Sequence, residues 1–200
     1  MGNVVARTLL LACVLHPAAA IADGYMYSAY AHRPFLLGVS WEYGLPTADL
    51  RTNFVNRGSP SGVQATVRYG LAARFSAGLD LSWNRFQQTL PTGDQARMDA
   101  TSARATVHYY LLASEIQPYV GVGAGGVWRR ATLGAAPSQT GFGFCVDPQV
   151  GVLLTVGNGV ALNVHARYVF TTASFDLGGQ PQVSVRSPRW VQAGVGVALY

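Results

Sequence analysis

The sequence predicts an all-β chain: an eight-stranded antiparallel up-and-down barrel that crosses a membrane. Three observations predict it. Apolar residues alternate with small or polar ones at a period of two through most of the chain. Only 12% of the 200 residues are charged, against roughly a quarter in a soluble domain, while 50% are apolar. The connections between alternating segments are by turns long and short, as in a barrel whose hairpins open toward opposite sides of a membrane. A helical membrane protein is excluded, because past the N-terminus no apolar run reaches about 18 residues.

The segments follow in order. In the first, Phe35, Leu37, Val39, Trp41 and Tyr43 share a face opposite Leu36, Gly38, Ser40 and Glu42. In the second, Val63, Ala65, Val67 and Tyr69 oppose Gln64, Thr66 and Arg68. The third sets Phe75, Ala77, Leu79, Leu81 and Trp83 against Ser76, Gly78, Asp80, Ser82 and Asn84. The fourth sets Ala103, Ala105, Val107 and Tyr109 against Ser102, Arg104, Thr106, His108 and Tyr110. The fifth has Val120, Val122, Ala124 and Trp128 on one face and Tyr119, Gly121, Gly123 and Gly125 on the other. In the sixth, Val146, Val150, Val152 and Leu154 oppose Cys145, Asp147, Gln149 and Gly151. In the seventh, Leu162, Val164, Ala166 and Tyr168 oppose Asn163, His165 and Arg167. The last places Val191, Ala193, Val195, Val197 and Leu199 opposite Gln192, Gly194 and Gly196.

Each strand is expected to hold about ten residues, the length that spans a bilayer at a barrel's tilt. Long connections are expected at 46–60, 87–97, 129–140 and 171–187, with short turns near Ala73, Ser114 and Asn158. Asn158-Gly159 suits a hairpin turn that needs positive φ.

Gly121, Gly123 and Gly126 also fit the G-x-G-x-x-G spacing of a dinucleotide loop. Such a loop must open a helix, whereas here Val127, Trp128, Arg129 and Arg130 continue the strand. No cofactor and no metal site is therefore expected. The glycines are read instead as room for long side chains reaching from the opposite wall of a narrow barrel.

The second face is too poor in charge to meet water well, and it suits the inside of a barrel held in lipid. Lipid offers no hydrogen bonds, so every backbone group must pair between strands and no edge remains open. An eight-stranded interior is just wide enough for side chains to fill. The predicted interior polar network comprises Glu42, Arg68, Asp80, Arg104, His108, Asp147, His165 and Arg167. Ions in such a place are tolerable when paired, so a salt-bridged plug is expected. A gated polar path made by the same pairs is the sharper alternative.

Trp41, Tyr43, Trp83 and Trp128 should form one interfacial girdle. Tyr69, Phe75, Tyr109 and Tyr119 should form the other, although strict alternation turns Tyr119 inward. Lysine is absent, and arginines gather in or beside the long connections. Arginine grips phosphate through paired hydrogen bonds. Arg85, Arg97, Arg129, Arg130, Arg186 and Arg189 are accordingly read as lipopolysaccharide contacts, with Arg51 and Arg57 in the same belt. Charge spread around a rim does not suit nucleic acid.

The N-terminal residues read as an export signal over 1–22. Arg7 precedes the apolar run Leu9–Leu15, and Ala20-Ile21-Ala22 precedes Asp23 as a cleavage site. Residues 23–33 then form a short periplasmic segment and 34–200 the barrel. Cys13 would leave with the signal, so Cys145 would have no disulfide partner.

"QPYVGVGAGG" and "WVQAGVGVALY" resemble a central strand and the C-terminal strand of the small outer-membrane β-barrel family. That family includes the membrane domain of outer-membrane protein A and the opacity-type porins. The resemblance implies the outer membrane of a Gram-negative bacterium and a monomer among outer-membrane lipid and lipopolysaccharide. It also implies assembly by the barrel-insertion machinery, reading Gln192, Gly194, Val197, Leu199 and Tyr200. The function it implies is structural or weakly pore-forming. A surface adhesin acting through the long connections is the alternative, and a lipid A-modifying enzyme is less favoured. Neither His108 nor His165 precedes a serine two residues on, and both point inward by alternation, so no enzyme is expected.

Overall fold

A computed structural model of the chain describes residues 35–47, 62–72, 74–89, 93–112, 114–157, 159–172, 175–177, 183–185 and 188–200. The export signal, the segment 23–33, Asn158, Arg51, Arg57 and Arg186 lie outside the described residues. Eight long strands form a closed antiparallel barrel. They are β1 (Phe35–Thr47), β2 (Gly62–Ala72), β3 (Phe75–Thr89), β4 (Gln95–Tyr110), β5 (Ile116–Leu133), β6 (Gln139–Gly157), β7 (Val160–Thr171) and β10 (Arg189–Leu199). Between β7 and β10, β8 (Phe175–Leu177) and β9 (Val183–Val185) make a separate two-stranded ribbon.

Each long strand pairs with its sequence neighbours, and β1 pairs with β10 to close the ring. The register defines the barrel's shear. Followed through β2 to β5, the partners of Glu42 lead to Gly141 on β6. Followed through β10 and β7 they lead to Gly151 on the same strand. The ladder therefore climbs ten residues in one circuit, and strands so staggered tilt by about 40° from the axis.

Alternation is kept throughout, because a one-residue slip would turn every apolar side chain from the outer face to the lumen. Leu37, Val39, Leu79, Leu81, Val150 and Val195 are exposed on the outside, whereas Ser40, Gln64, Thr66 and Ser102 are buried inside. The ladder is interrupted once in midwall. Asp147 and Pro148 are skipped in the pairing of β6 with β7, since proline has no N–H to donate.

Two expectations are corrected. Several strands are much longer than ten residues, up to 18 in β5 and 19 in β6. Two of the long connections shrink accordingly. β3 and β4 stay paired out to Thr89 and Gln95, and β5 and β6 out to Ala131 and Gln139. The polar residues there, such as Gln87, Arg97 and Arg130, belong to a wall of paired strands rather than to loops. Their high polarity resembles loop composition, which is why the pattern misleads.

The interior glycines also differ in purpose from the expectation. Their room serves adjacent strands, not the opposite wall. A Cβ on Gly123 would meet the Asp147 carboxylate of β6, and one on Gly194 would meet His165 of β7. At Gly125 a Cβ would run into backbone of Ala103 and Arg104, whereas at Gly141 nothing lies within 4 Å. Gly125→Val should therefore abolish the folded form that resists detergent at room temperature, while Gly141→Ala should leave it intact. Gel mobility with and without boiling separates the two.

Candidate functional site

The lumen is built in three layers by the inward positions of the strands. All eight residues of the predicted polar network lie inside and are buried. At midheight Arg167 of β7 is the hub. Its Nη2 donates to Glu42 Oε1 at 3.1 Å, and its Nη1 lies 3.6 Å from Asp80 and 3.7 Å from Asp147. One guanidinium thus faces carboxylates from three other strands, β1, β3 and β6. Arg104 reaches the same Asp147 oxygen at 3.7 Å and donates to Ser82 Oγ at 3.1 Å.

Neutral groups complete the layer. Ser40 donates to Glu42 at 2.9 Å, and Thr66 donates to Asp80. His165 Nε2 lies 2.9 Å from Glu42 Oε1 and 3.0 Å from Arg167 Nη2, and its Nδ1 lies 3.2 Å from Asn163 Nδ2. Tyr119 O–H donates to Asn163 Oδ1 at 3.0 Å, so a polar chain runs from the lower lumen to the hub. Arg68 and His108 pack against this tyrosine. The Arg68 guanidinium stacks over the Tyr119 ring at 5.1 Å, and His108 meets that ring edge-on at 5.2 Å.

Apolar layers bracket the ions. Toward the long connections, Phe86, Met98, Val127, Val169 and Trp190 form one buried cluster, with Phe86 and Trp190 edge to face at 5.6 Å. Toward the short turns, Leu36, Tyr110, Tyr119, Leu153 and Ala198 form another, against which Tyr200 packs. Sequence reasoning missed these as caps. Leu36, Tyr110 and Trp190 carry the parity signal, since each is in phase with its strand's polar residues. Phe86 and Met98 had no such signal, because they fell at the margins of a presumed loop.

On the outside, Phe35 meets Tyr69 and Phe75 meets Tyr109 in tilted ring contacts at the short-turn end. Trp128, Phe142 and Phe144 form a chain of ring contacts on the upper wall, and Tyr168 meets Phe170. Tyr119 is corrected from girdle to lumen, as its 1% exposure shows. Arg129 is corrected too. It turns inward and is buried, because parity on β5 carries Tyr119, Gly123 and Arg129 to one face, while Arg130 is exposed outside. Arg85, Arg97 and Arg189 sit on the outer wall. Of the residues read as the assembly signal, Gln192 and Gly194 face the lumen, Val197 and Leu199 face outward, and Tyr200 turns back onto the lower cluster.

Among the described residues no group of histidine, cysteine, aspartate and glutamate side chains could hold a metal ion. A closed barrel with an apolar exterior and an ion-paired interior is the architecture of a transmembrane β-barrel. Solved structures share it. Neisserial surface protein A superposes with a TM-score of 0.55 at 16% identity, covering 83% of this chain and 96% of that one. The outer membrane protein OprG from Pseudomonas aeruginosa gives 0.56 at 15% identity, covering 82% and 94%. No family model and no curated protein matches the sequence. The chain has the fold of the small eight-stranded outer-membrane barrels.

The hub makes a stability prediction. Arg167→Met would leave three buried carboxylates short of their shared cation, and breaking a buried ion pair costs about 3–5 kcal/mol. Arg104→Met should cost less, since Asp147 keeps Arg167. Urea unfolding in lipid vesicles, followed by tryptophan fluorescence, would rank them. Equal losses would refute the hub.

Proposed function

We propose that the chain is a structural barrel of the Gram-negative outer membrane whose lumen is shut at rest. The observation that carries this reading is the bracketing of an ion-paired midsection by two apolar clusters. A conducting lumen needs a hydrated path, and the Phe86–Trp190 contact and the Leu36, Tyr110 and Tyr119 layer stand across it at either end. Buried ions held by hydrogen bonds from Ser40, Thr66 and His165 fix side chains in place rather than offering a passing ion a site.

Residence in the membrane is supported by the exterior. Outward aliphatic residues form a band between the two groups of aromatic side chains, as lipid requires. Export through a signal cleaved after Ala22 belongs to the same reading, and N-terminal sequencing of the membrane-bound protein should begin at Asp23.

Planar-bilayer recording tests the shut lumen. The wild-type barrel should give no steady conductance. A variant with alanine at Phe86, Met98 and Trp190 together with Leu36 and Tyr110 should give discrete openings, provided its gel mobility still shifts on boiling. Steady wild-type conductance would overturn the reading in favour of a pore.

A further inference from the structure

The outer wall of β3 to β6 carries a feature that the shut barrel does not use. Register places Arg85, Asp99, Arg130 and Thr140 side by side across four strands, all facing outward. Arg97 joins the row from β4. Asp99 bonds Arg85 and Arg97, each at 2.8 Å, so one carboxylate stands among three guanidinium groups and the row stays positive. Two residues toward the short turns lies a second row of Trp83, Thr101, Trp128 and Phe142. Arg85 stacks over Trp83 at 4.7 Å, and Trp128 meets Phe142 at 5.2 Å. A groove of about 470 Å³ opens between the rows, with Asp99, Arg130, Thr140, Trp128 and Phe142 in its lining.

Below the aromatics the wall hollows. The next row reads Leu81, Ala103, Gly126 and Phe144, and the one after it Leu79, Ala105, Ala124 and Val146. Small residues on β4 and β5 thus form a furrow between the bulkier residues of β3 and β6, and the Phe142 ring leans over Gly126 at its upper end. Phe144 is 67% exposed on its rim. The wall presents cation, aromatic rim and apolar furrow in the vertical order of an anionic lipid's phosphate, headgroup boundary and chains.

Resting on the membrane residence proposed above, we propose that this wall is a docking site for a phosphorylated, multiply acylated lipid. Arg85, Arg97 and Arg130 hold the phosphate through charge-assisted hydrogen bonds. Trp128 and Phe142 line the boundary, and an acyl chain lies along the furrow over Ala103 and Ala105. This sets the site on one wall. Of the arginines read as lipid contacts, Arg129 lines the groove but is buried toward the lumen, so it is not among the three that hold the phosphate.

The test is native mass spectrometry of the folded full chain released from detergent. It is titrated separately with bisphosphorylated lipid A, dephosphorylated lipid A and inorganic phosphate. Bisphosphorylated lipid A should give a retained adduct, the dephosphorylated lipid a much weaker one, and phosphate alone none. The triple variant Arg85→Gln, Arg97→Gln, Arg130→Gln should weaken the adduct at least about tenfold. Ala103→Leu, which fills the furrow without touching the charges, should weaken it as well. Equal binding of the two lipids, an undiminished triple variant, or retention of phosphate alone would overturn the site. The boiling-dependent gel shift, scored on every variant, keeps this apart from the parent reading. A wild-type chain that does not insert into vesicles would end the barrel's membrane role, whereas one that inserts and ignores the phosphorylated lipid would end only the site.

Discussion

The pairing of β1 with β10 removes the last free edge of the sheet, and the ten-residue stagger at which it closes sets what can meet inside. In hydrocarbon an open edge would leave a row of N–H and C=O groups with no partner, each worth several kcal/mol. For a barrel held in lipid, as proposed, closure is therefore a condition of existence and not one stabilising contact among many. The stagger then decides neighbours. It brings Glu42 of β1, Asp80 of β3, Asp147 of β6 and Arg167 of β7 to one height, although they are far apart in the chain. A different shear would set these charges at different levels, where an isolated ion in a narrow lumen could not stay ionised.

The hub and the glycines solve one packing problem jointly. Eight strands enclose too little space for long side chains at every inward position. Large polar residues consequently pair in register with glycine: Asp147 with Gly123, His165 with Gly194, and His108 and Gln149 with Gly121. The glycine stripe that imitates a nucleotide loop is the complement of the charged residues beside it. Its function is volume, and its chemistry belongs to its neighbours.

Much of this was legible in the sequence, and the reason is the period of two. Once one residue of a strand is placed, parity places the rest, so the burial of Glu42, Asp80, Arg104 and His165 follows from alternation alone. Parity is silent about height and about where a strand ends. Arg129 was read as part of a loop because Arg-Arg and the glycine and proline after it look like a connection, yet β5 carries its alternation on to Leu133. The apolar caps were lost the same way, since Phe86 and Met98 read as loop margins. Which acid meets which arginine depends on the shear, a property of the closed ring that no single strand encodes.

The outer wall applies the same rule with the opposite solvent. Inside, register sets the carboxylates of Glu42, Asp80 and Asp147 around Arg167; on the upper wall of β3 to β5 it gathers three arginines near the carboxylate of Asp99. Folding alone gives no reason for that excess, because like charges placed as neighbours repel and an exposed ion pair adds at most about 1 kcal/mol. A surplus of cation immediately above aromatic rings and a shallow apolar furrow becomes favourable when an anion with hydrocarbon attached occupies it. In the proposed site the long ends of β3 to β6 serve the same end. Without the extension of β3 to β6, Arg97 and Arg130 would stand on separate connections, and no common register would hold their guanidinium groups over one lipid.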